Sequence, residues 1–79
     1  MPLYDFYWDD GREGFIVEID EPLEAVEKLL DEYRNNNPTD YNSNDFIEFL
    51  KKKRVKAKYI TFYRSYTPVE VEADHHIYF

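Results

Sequence analysis

The sequence has no cysteine among its 79 residues. Disulfides and cysteine-ligated metal sites are therefore excluded, although a chain without cysteine is compatible with any compartment. No apolar run approaches the roughly 20 residues that a membrane-spanning helix needs. The opening stretch, MPLYDFYWDD, also lacks the basic and apolar regions of a signal peptide. We therefore expect a soluble, cytoplasmic protein with no membrane partner.

Positive charge is scarce and concentrated in one stretch. The chain has 10 basic and 17 acidic residues, for a net charge of -7. Residues 51–64, KKKRVKAKYITFYR, hold seven of the ten bases and no acid. Charge runs of this kind are usually structural, and here the run could serve as an internal counter-charge. The alternative is a strip that binds phosphates and stacks bases on its aromatics, but an acidic domain repels a polyanion at long range.

Length and composition favour one small folded domain over residues 1–79. Aromatic residues make up 19% of the chain, whereas disordered chains are poor in aromatics. A chain this short buries only about 60% of its unfolded surface, which limits its core.

The first half of the chain predicts a hairpin followed by two helices. LYDFYW (Leu3–Trp8) is typical of a strand, and Asp9–Gly14 contains both glycines and a D-G pair, as a hairpin loop would. FIVEI (Phe15–Ile19) is the predicted return strand. Helical spacing of Leu23, Val26, Leu30 and Tyr33 predicts a first helix that begins at Pro22. A second helix is predicted to start near Ser43–Asp45, capped by Asn44 or Asp45.

The last third of the chain predicts a second hairpin. Apolar and polar residues alternate through residues 55–64 and again through residues 69–79, on either side of Thr67 and Pro68. The odd positions are expected to face the helices. The even positions would set Lys56, Lys58 and Arg64 beside Glu70, Glu72 and Asp74 across the strands. The expected fold is α+β in the order ββααββ, with a four-stranded antiparallel sheet from two hairpins and both helices on one face.

No pattern in the sequence predicts a catalytic, cofactor or metal site. Within Asp74, His75 and His76, only Asp74 and His76 share a strand face, which is too few ligands for zinc. The Asp9–Gly14 loop is too short for a calcium loop, which needs alternating oxygen ligands over about twelve residues. No nucleophile stands in a recognisable arrangement with a base. We therefore expect a protein that is not an enzyme and carries no cofactor.

The opening MPLYDFYWDDG resembles that of the FmdB-type zinc ribbons. The residues that fit are Met1, Pro2, Tyr4, Asp5 and Phe6. Trp8 stands where that family has its first ligand cysteine, and no cysteine follows. The resemblance therefore implies no zinc site in this chain.

Three functions are consistent with these patterns. The first is a protein-interaction module that uses the even sheet face to bind a partner, or a second copy as a homodimer. Its predicted contact residues are Ile60, Phe62, Tyr66 and Tyr78, aromatic and apolar groups within a charged rim. The alternative is a nucleic-acid mimic, of the phage or mobile-element type, that inhibits a DNA-binding enzyme with the acidic helix face of Glu24, Glu27 and Asp31. The third is RNA or DNA binding by the basic strand 51–64.

Overall fold

Two aromatic strands form the centre of the sheet. The structure, a computed structural model, describes all 79 residues. Strand β1 (Leu3–Trp8) has the predicted bounds, and β2 (Glu13–Ile19) is two residues longer than predicted; the two pair antiparallel. At the tip, Asp9, Asp10 and Gly11 take φ values of 53°, 56° and 86°. Asp and Gly tolerate this left-handed region better than most residues, so the D-G pair does form the turn.

Both helices follow β2, as predicted. Helix α1 spans Leu23–Asn36 and α2 spans Ser43–Lys52. The cap of α2 is Asn42, whose Oδ1 accepts a hydrogen bond from the Asp45 backbone N–H at 3.0 Å. The predicted caps, Asn44 and Asp45, were wrong because both lie inside the helix, whereas a cap residue needs the extended backbone that Asn42 has. Neither helix is long and apolar enough to cross a membrane.

The core lies between the helices and one face of the sheet. Its centre is a set of packed rings, with Phe6 in contact with Phe15 and Phe46 at centroid distances of 5.1 Å each. The buried tyrosines satisfy their hydroxyls locally: Tyr4 donates to the Glu21 carbonyl and Tyr33 to that of Asn42. The core residues are Tyr4, Phe6, Phe15, Val17, Ile19, Val26, Leu30, Tyr33, Phe46, Leu50 and Phe79.

The sheet is mixed, and the predicted second hairpin does not form. Strand β3 (Ala57–Arg64) pairs antiparallel with β2, but β4 (His75–Tyr78) pairs parallel with β1. The strand order is β3-β2-β1-β4, so β3 and β4 lie at opposite edges. The prediction of an α+β fold in the order ββααββ is confirmed, and the prediction of a wholly antiparallel sheet was wrong. Alternation in a sequence indicates an extended chain, but it does not identify the strand with which that chain pairs.

Residues 65–74 connect β3 to β4 across the sheet. Val69 N–H donates to the Gly11 carbonyl at 3.2 Å, and Asp74 N–H donates to the Leu3 carbonyl at 2.9 Å. Leu3 begins β1 and Gly11 lies in the turn that follows it, so the connection runs back along the whole strand. Its side chains still alternate between exposed and half-buried, with Val71 half-buried between exposed Glu70 and Glu72, although this part of the chain is not in a strand.

A β-bulge in β3 reverses the predicted facing of its second half. Val17 lies opposite Tyr59 and Ile16 opposite Thr61, so Ile60 is an extra residue without a partner. Before the bulge, Ala57 and Tyr59 face the helices, as predicted. After it Phe62, opposite Phe15, faces the helices, and the odd residue Tyr63 faces away. A single inserted residue exchanges the two faces of a strand.

Candidate functional site

The outer edge of β3 is the largest exposed run of apolar side chains on a regular element. Tyr59, Ile60 and Phe62 are 42%, 44% and 45% exposed. Because β3 is an edge strand, one side of its backbone has no neighbouring strand. We call this surface, the free backbone side with these three side chains, the β3 edge. Unpaired strand backbone is a template for pairing with another chain.

The structure does not bring the four predicted contact residues onto one face. Ile60 and Phe62 both lie on the β3 edge. Tyr78 lies on β4 at the opposite edge of the sheet, although it lines one cavity together with Phe62, and Tyr66 is fully exposed in the 65–74 connection. The sequence analysis missed Tyr59, since its odd position assigned it to the core. Tyr59 does face the helices and its ring stacks on Phe15, but an edge strand leaves the side chain only partly covered.

The basic stretch has its counter-charges in β2 and the helices. Three bases form ion pairs: Lys51 with Glu48 at 3.4 Å, Lys53 with Glu32 at 2.7 Å, and Arg64 with Glu13. The hydrogen bond from Arg64 lowers the pKa of the Glu13 carboxyl.

A fourth base of the stretch, Lys58, lies opposite Glu18 of β2 in the register. The predicted pairing with Glu70, Glu72 and Asp74 was wrong, because β3 and β4 are not neighbours. Much of the basic charge is nevertheless an internal counter-charge.

The acidic residues of α1 lie on the surface. Glu24, Glu27 and Asp31 are all exposed, and none of them forms an ion pair. Their spacing of three and four residues sets them along one side of the helix. Lys28, which is also exposed, lies on the same side of the helix, so this surface is mostly but not wholly acidic.

The only buried charged residue in the protein is Asp5. Its side chain is 5% exposed and lies on the sheet face away from the helices. Oδ1 accepts from the Tyr63 hydroxyl at 2.8 Å, and Oδ2 lies 2.8 Å from Nδ1 of His76. An ionised carboxylate only accepts, so Nδ1 of His76 carries the proton and Nε2 is left unprotonated when the ring is neutral. The network joins β3, β1 and β4.

Gly14 makes room for this network. A Cβ at position 14 would lie 2.6 Å from Cζ of Tyr63 and 2.7 Å from the Phe6 carbonyl oxygen. The Tyr63 side chain therefore crosses β2 at the one residue that has no side chain. The sequence analysis missed the network, although Asp5 stands out as a lone acid between Tyr4 and Phe6 in an aromatic strand.

The Asp5–His76 pair resembles the arrangement in which a carboxylate orients a histidine that acts as a general base. Such a pair can orient an imidazole for proton transfer. Here, however, His76 lines neither of the two largest cavities, and the Tyr63 hydroxyl is already used as a donor. No group of three or more His, Asp and Glu side chains is placed to hold a metal ion. The network's evident role is to fasten the edge strands.

A cavity of about 400 Å³ lies where β1 ends and α2 begins. Seven residues line it, five of them aromatic: Trp8, Tyr41, Asn42, Ser43, Phe62, Tyr78 and Phe79. A larger hollow of about 700 Å³ has mixed charge, with Asp9, Arg12, Glu13 and Arg64 in its wall. No family model, curated protein or solved structure matches this chain.

Replacing Asp5 should destabilise the fold without removing any apolar packing. Asp5→Ala leaves the Tyr63 hydroxyl and His76 Nδ1 without their partner, and we expect a loss of about 2–4 kcal/mol in the free energy of unfolding. Asp31→Ala, which removes an exposed acid, is the matched control and should change stability by less than about 0.5 kcal/mol. Urea denaturation followed by circular dichroism compares the two. Equal effects would show that the network contributes nothing.

Stability should fall above pH 10. Burial raises the pKa of the Tyr63 phenol, helped by its hydrogen bond to Asp5 and the charge of that carboxylate, and burial also raises the pKa values of Tyr4, Tyr33 and Tyr59. These phenols hold their protons more tightly when folded, so their contribution is complete below the unfolded pKa of about 10 and is lost as the pH rises above it. Melting temperature between pH 8 and pH 12 measures this loss. Tyr63→Phe should flatten the decline, and an unchanged slope would contradict the assignment.

Proposed function

We propose that this protein is a non-catalytic interaction module that forms a homodimer by antiparallel pairing of two β3 edges. The observation that carries the proposal is the β3 edge itself, with an unpaired backbone beside Tyr59, Ile60 and Phe62. Strand addition of this kind takes affinity from main-chain hydrogen bonds and specificity from alternate side chains. A small domain with a limited core also gains buried apolar surface from a second copy.

The bulge selects the register of the pairing. Directly opposed residues of antiparallel strands share a face. A register with Tyr59 of one copy opposite Phe62 of the second satisfies this rule, because both side chains are on the helix side. Ala57 then lies opposite Arg64 on the same side, and Lys58 lies opposite Tyr63 on the other.

A register centred on Thr61 fails the same test. It would set Lys58 opposite Arg64, but these two side chains point to opposite faces because Ile60 intervenes. The register with Tyr59 opposite Phe62 overlaps the full strand and sets no two like charges directly across from one another. Like charges directly opposed would be destabilising.

Ile60→Lys should weaken dimerisation. In the favoured register Ile60 lies beside the two-fold axis, so the substitution brings two lysines together there and adds to the charge of Lys58. We expect dimer affinity to fall about tenfold or more. Sedimentation velocity over two decades of concentration measures it, with circular dichroism to confirm the fold.

Tyr66→Ser is the matched control, since it removes a fully exposed aromatic side chain outside β3. It should leave the association unchanged. A wild-type protein that stays monomeric throughout, or an Ile60→Lys protein that associates as strongly as the wild type, would refute the proposed interface.

A second candidate function is nucleic-acid mimicry by α1. It is favoured by the exposed, unpaired line of Glu24, Glu27 and Asp31, which would stand in for phosphates toward a DNA-binding enzyme. A triple variant with Gln, Gln and Asn at these positions keeps the shape and removes the charge. Mimicry requires that the wild-type chain competes with DNA for a basic DNA-binding protein from its host and that the neutral variant does so at least tenfold less well. Equal competition by both would exclude the α1 face.

A further inference from the structure

The 400 Å³ cavity at the end of β1 is built mostly of aromatic rings. Phe79, which is 6% exposed, forms its base. Trp8 packs on Phe79 at a centroid distance of 5.8 Å, and Phe62 packs on Trp8 at 6.0 Å. Tyr41 also packs on Phe79, at a centroid distance of 5.7 Å. No ring contact joins Tyr41 to Trp8 or Phe62, so Tyr41 stands apart from them as a separate wall.

The surroundings of the cavity favour a positive ligand. No lysine, arginine or histidine lines it, and the chain carries a net charge of -7. Its only polar lining residues, Asn42 and Ser43, begin α2. The partial positive charge at the start of that helix is neutralised, because Asn42 Oδ1 accepts from the Asp45 N–H and the Asp45 carboxylate lies in the first turn.

The nearby cations are already engaged, and none of them lines the cavity. Arg34 donates to the backbone carbonyls of Tyr78 and Phe79, and Arg64 is paired with Glu13, which also accepts from Nε1 of Trp8. The cavity therefore presents aromatic rings with no charged donor that could hold an anion.

We propose that this cavity binds a small quaternary ammonium compound. The faces of Trp, Tyr and Phe rings attract a cation through their quadrupoles, and aromatic cages are used to recognise quaternary ammonium groups. A quaternary ammonium also has no N–H, so ring faces can hold it without a hydrogen-bond acceptor. The cavity volume lies in the range of small-molecule sites. This site does not depend on the proposed dimer, although Phe62 belongs to both surfaces.

Choline is the probe, and Trp8, the only tryptophan in the chain, is the reporter. Titration of choline chloride at constant ionic strength should give a saturable change in tryptophan fluorescence. The matched control ligand is the neutral analogue in which a tert-butyl group replaces the trimethylammonium group. It has nearly the same shape, and we expect it to bind about tenfold more weakly because it has no charge. Equal binding of both ligands, or no saturable response to choline, would overturn the proposal.

Tyr41→Leu tests the cavity wall without touching β3. Removing this ring should weaken choline binding about three- to tenfold, whereas Tyr66→Leu, outside the cavity, should leave it unchanged. An undiminished affinity in Tyr41→Leu would contradict the site. If Tyr41→Leu does not fold, the comparison of choline with its neutral analogue still decides the question. The Ile60→Lys protein should bind choline like the wild type, so failure of the dimer and failure of this site are distinguishable.

Discussion

One buried carboxylate holds both edges of this sheet to its centre. Asp5 on β1 accepts from Tyr63 on β3 and from His76 on β4, with both heavy-atom distances at 2.8 Å. A buried charge is costly unless it is fully hydrogen-bonded, so the surrounding residues are constrained to serve it. Gly14 must lack a side chain for Tyr63 to cross β2, and the bulge at Ile60 must turn Tyr63 toward that face. The 65–74 connection must then return β4 alongside β1, where His76 meets the carboxylate. The two edge strands thus depend on one group near the start of the chain.

The parts of the fold that local patterns determine could be predicted. The aromatic run at Leu3–Trp8, the D-G turn and the helical spacing from Leu23 to Tyr33 each specify a structure through neighbours in the chain. Pairing between distant strands has no such local signal. The alternation in residues 69–79 is compatible with pairing to β3, with pairing to β1 and with an unpaired connection. In the structure, residues 75–78 pair with β1 and residues 69–74 belong to the unpaired connection. The bulge at Ile60 has no local sequence signal either, because Tyr59, Ile60 and Phe62 are all acceptable in a strand on either face.

The surfaces were harder to predict than the fold for the same reason. Assigning sheet faces from odd and even positions placed Ile60, Phe62 and Tyr78 on one face. Tyr78 instead lies on the far edge, because β4 pairs with β1. Parity also assigned Tyr63 to the core and His76 to the surface, and so separated two residues that share Asp5. The one available signal was chemical. Asp5 is a lone aspartate whose same-face neighbours in the strand are Leu3 and Tyr7, so burial of that apolar face would leave a carboxylate that requires donors.

The β3 edge combines features that oppose one another, and their balance is informative. Lysines and bulges are the means by which proteins blunt exposed edges against indiscriminate pairing, and β3 has Lys58, a preceding Lys56 and the bulge at Ile60. The same edge exposes three large apolar side chains, which a strand selected only against association would not retain. The bulge reconciles the two. In registers centred on a single residue it sets opposed side chains on different faces, and it allows one register in which opposed side chains share a face along the full strand. Because that register places Tyr59 against Phe62 and keeps the cations apart, an edge protected against most partners remains complementary to a second copy of itself.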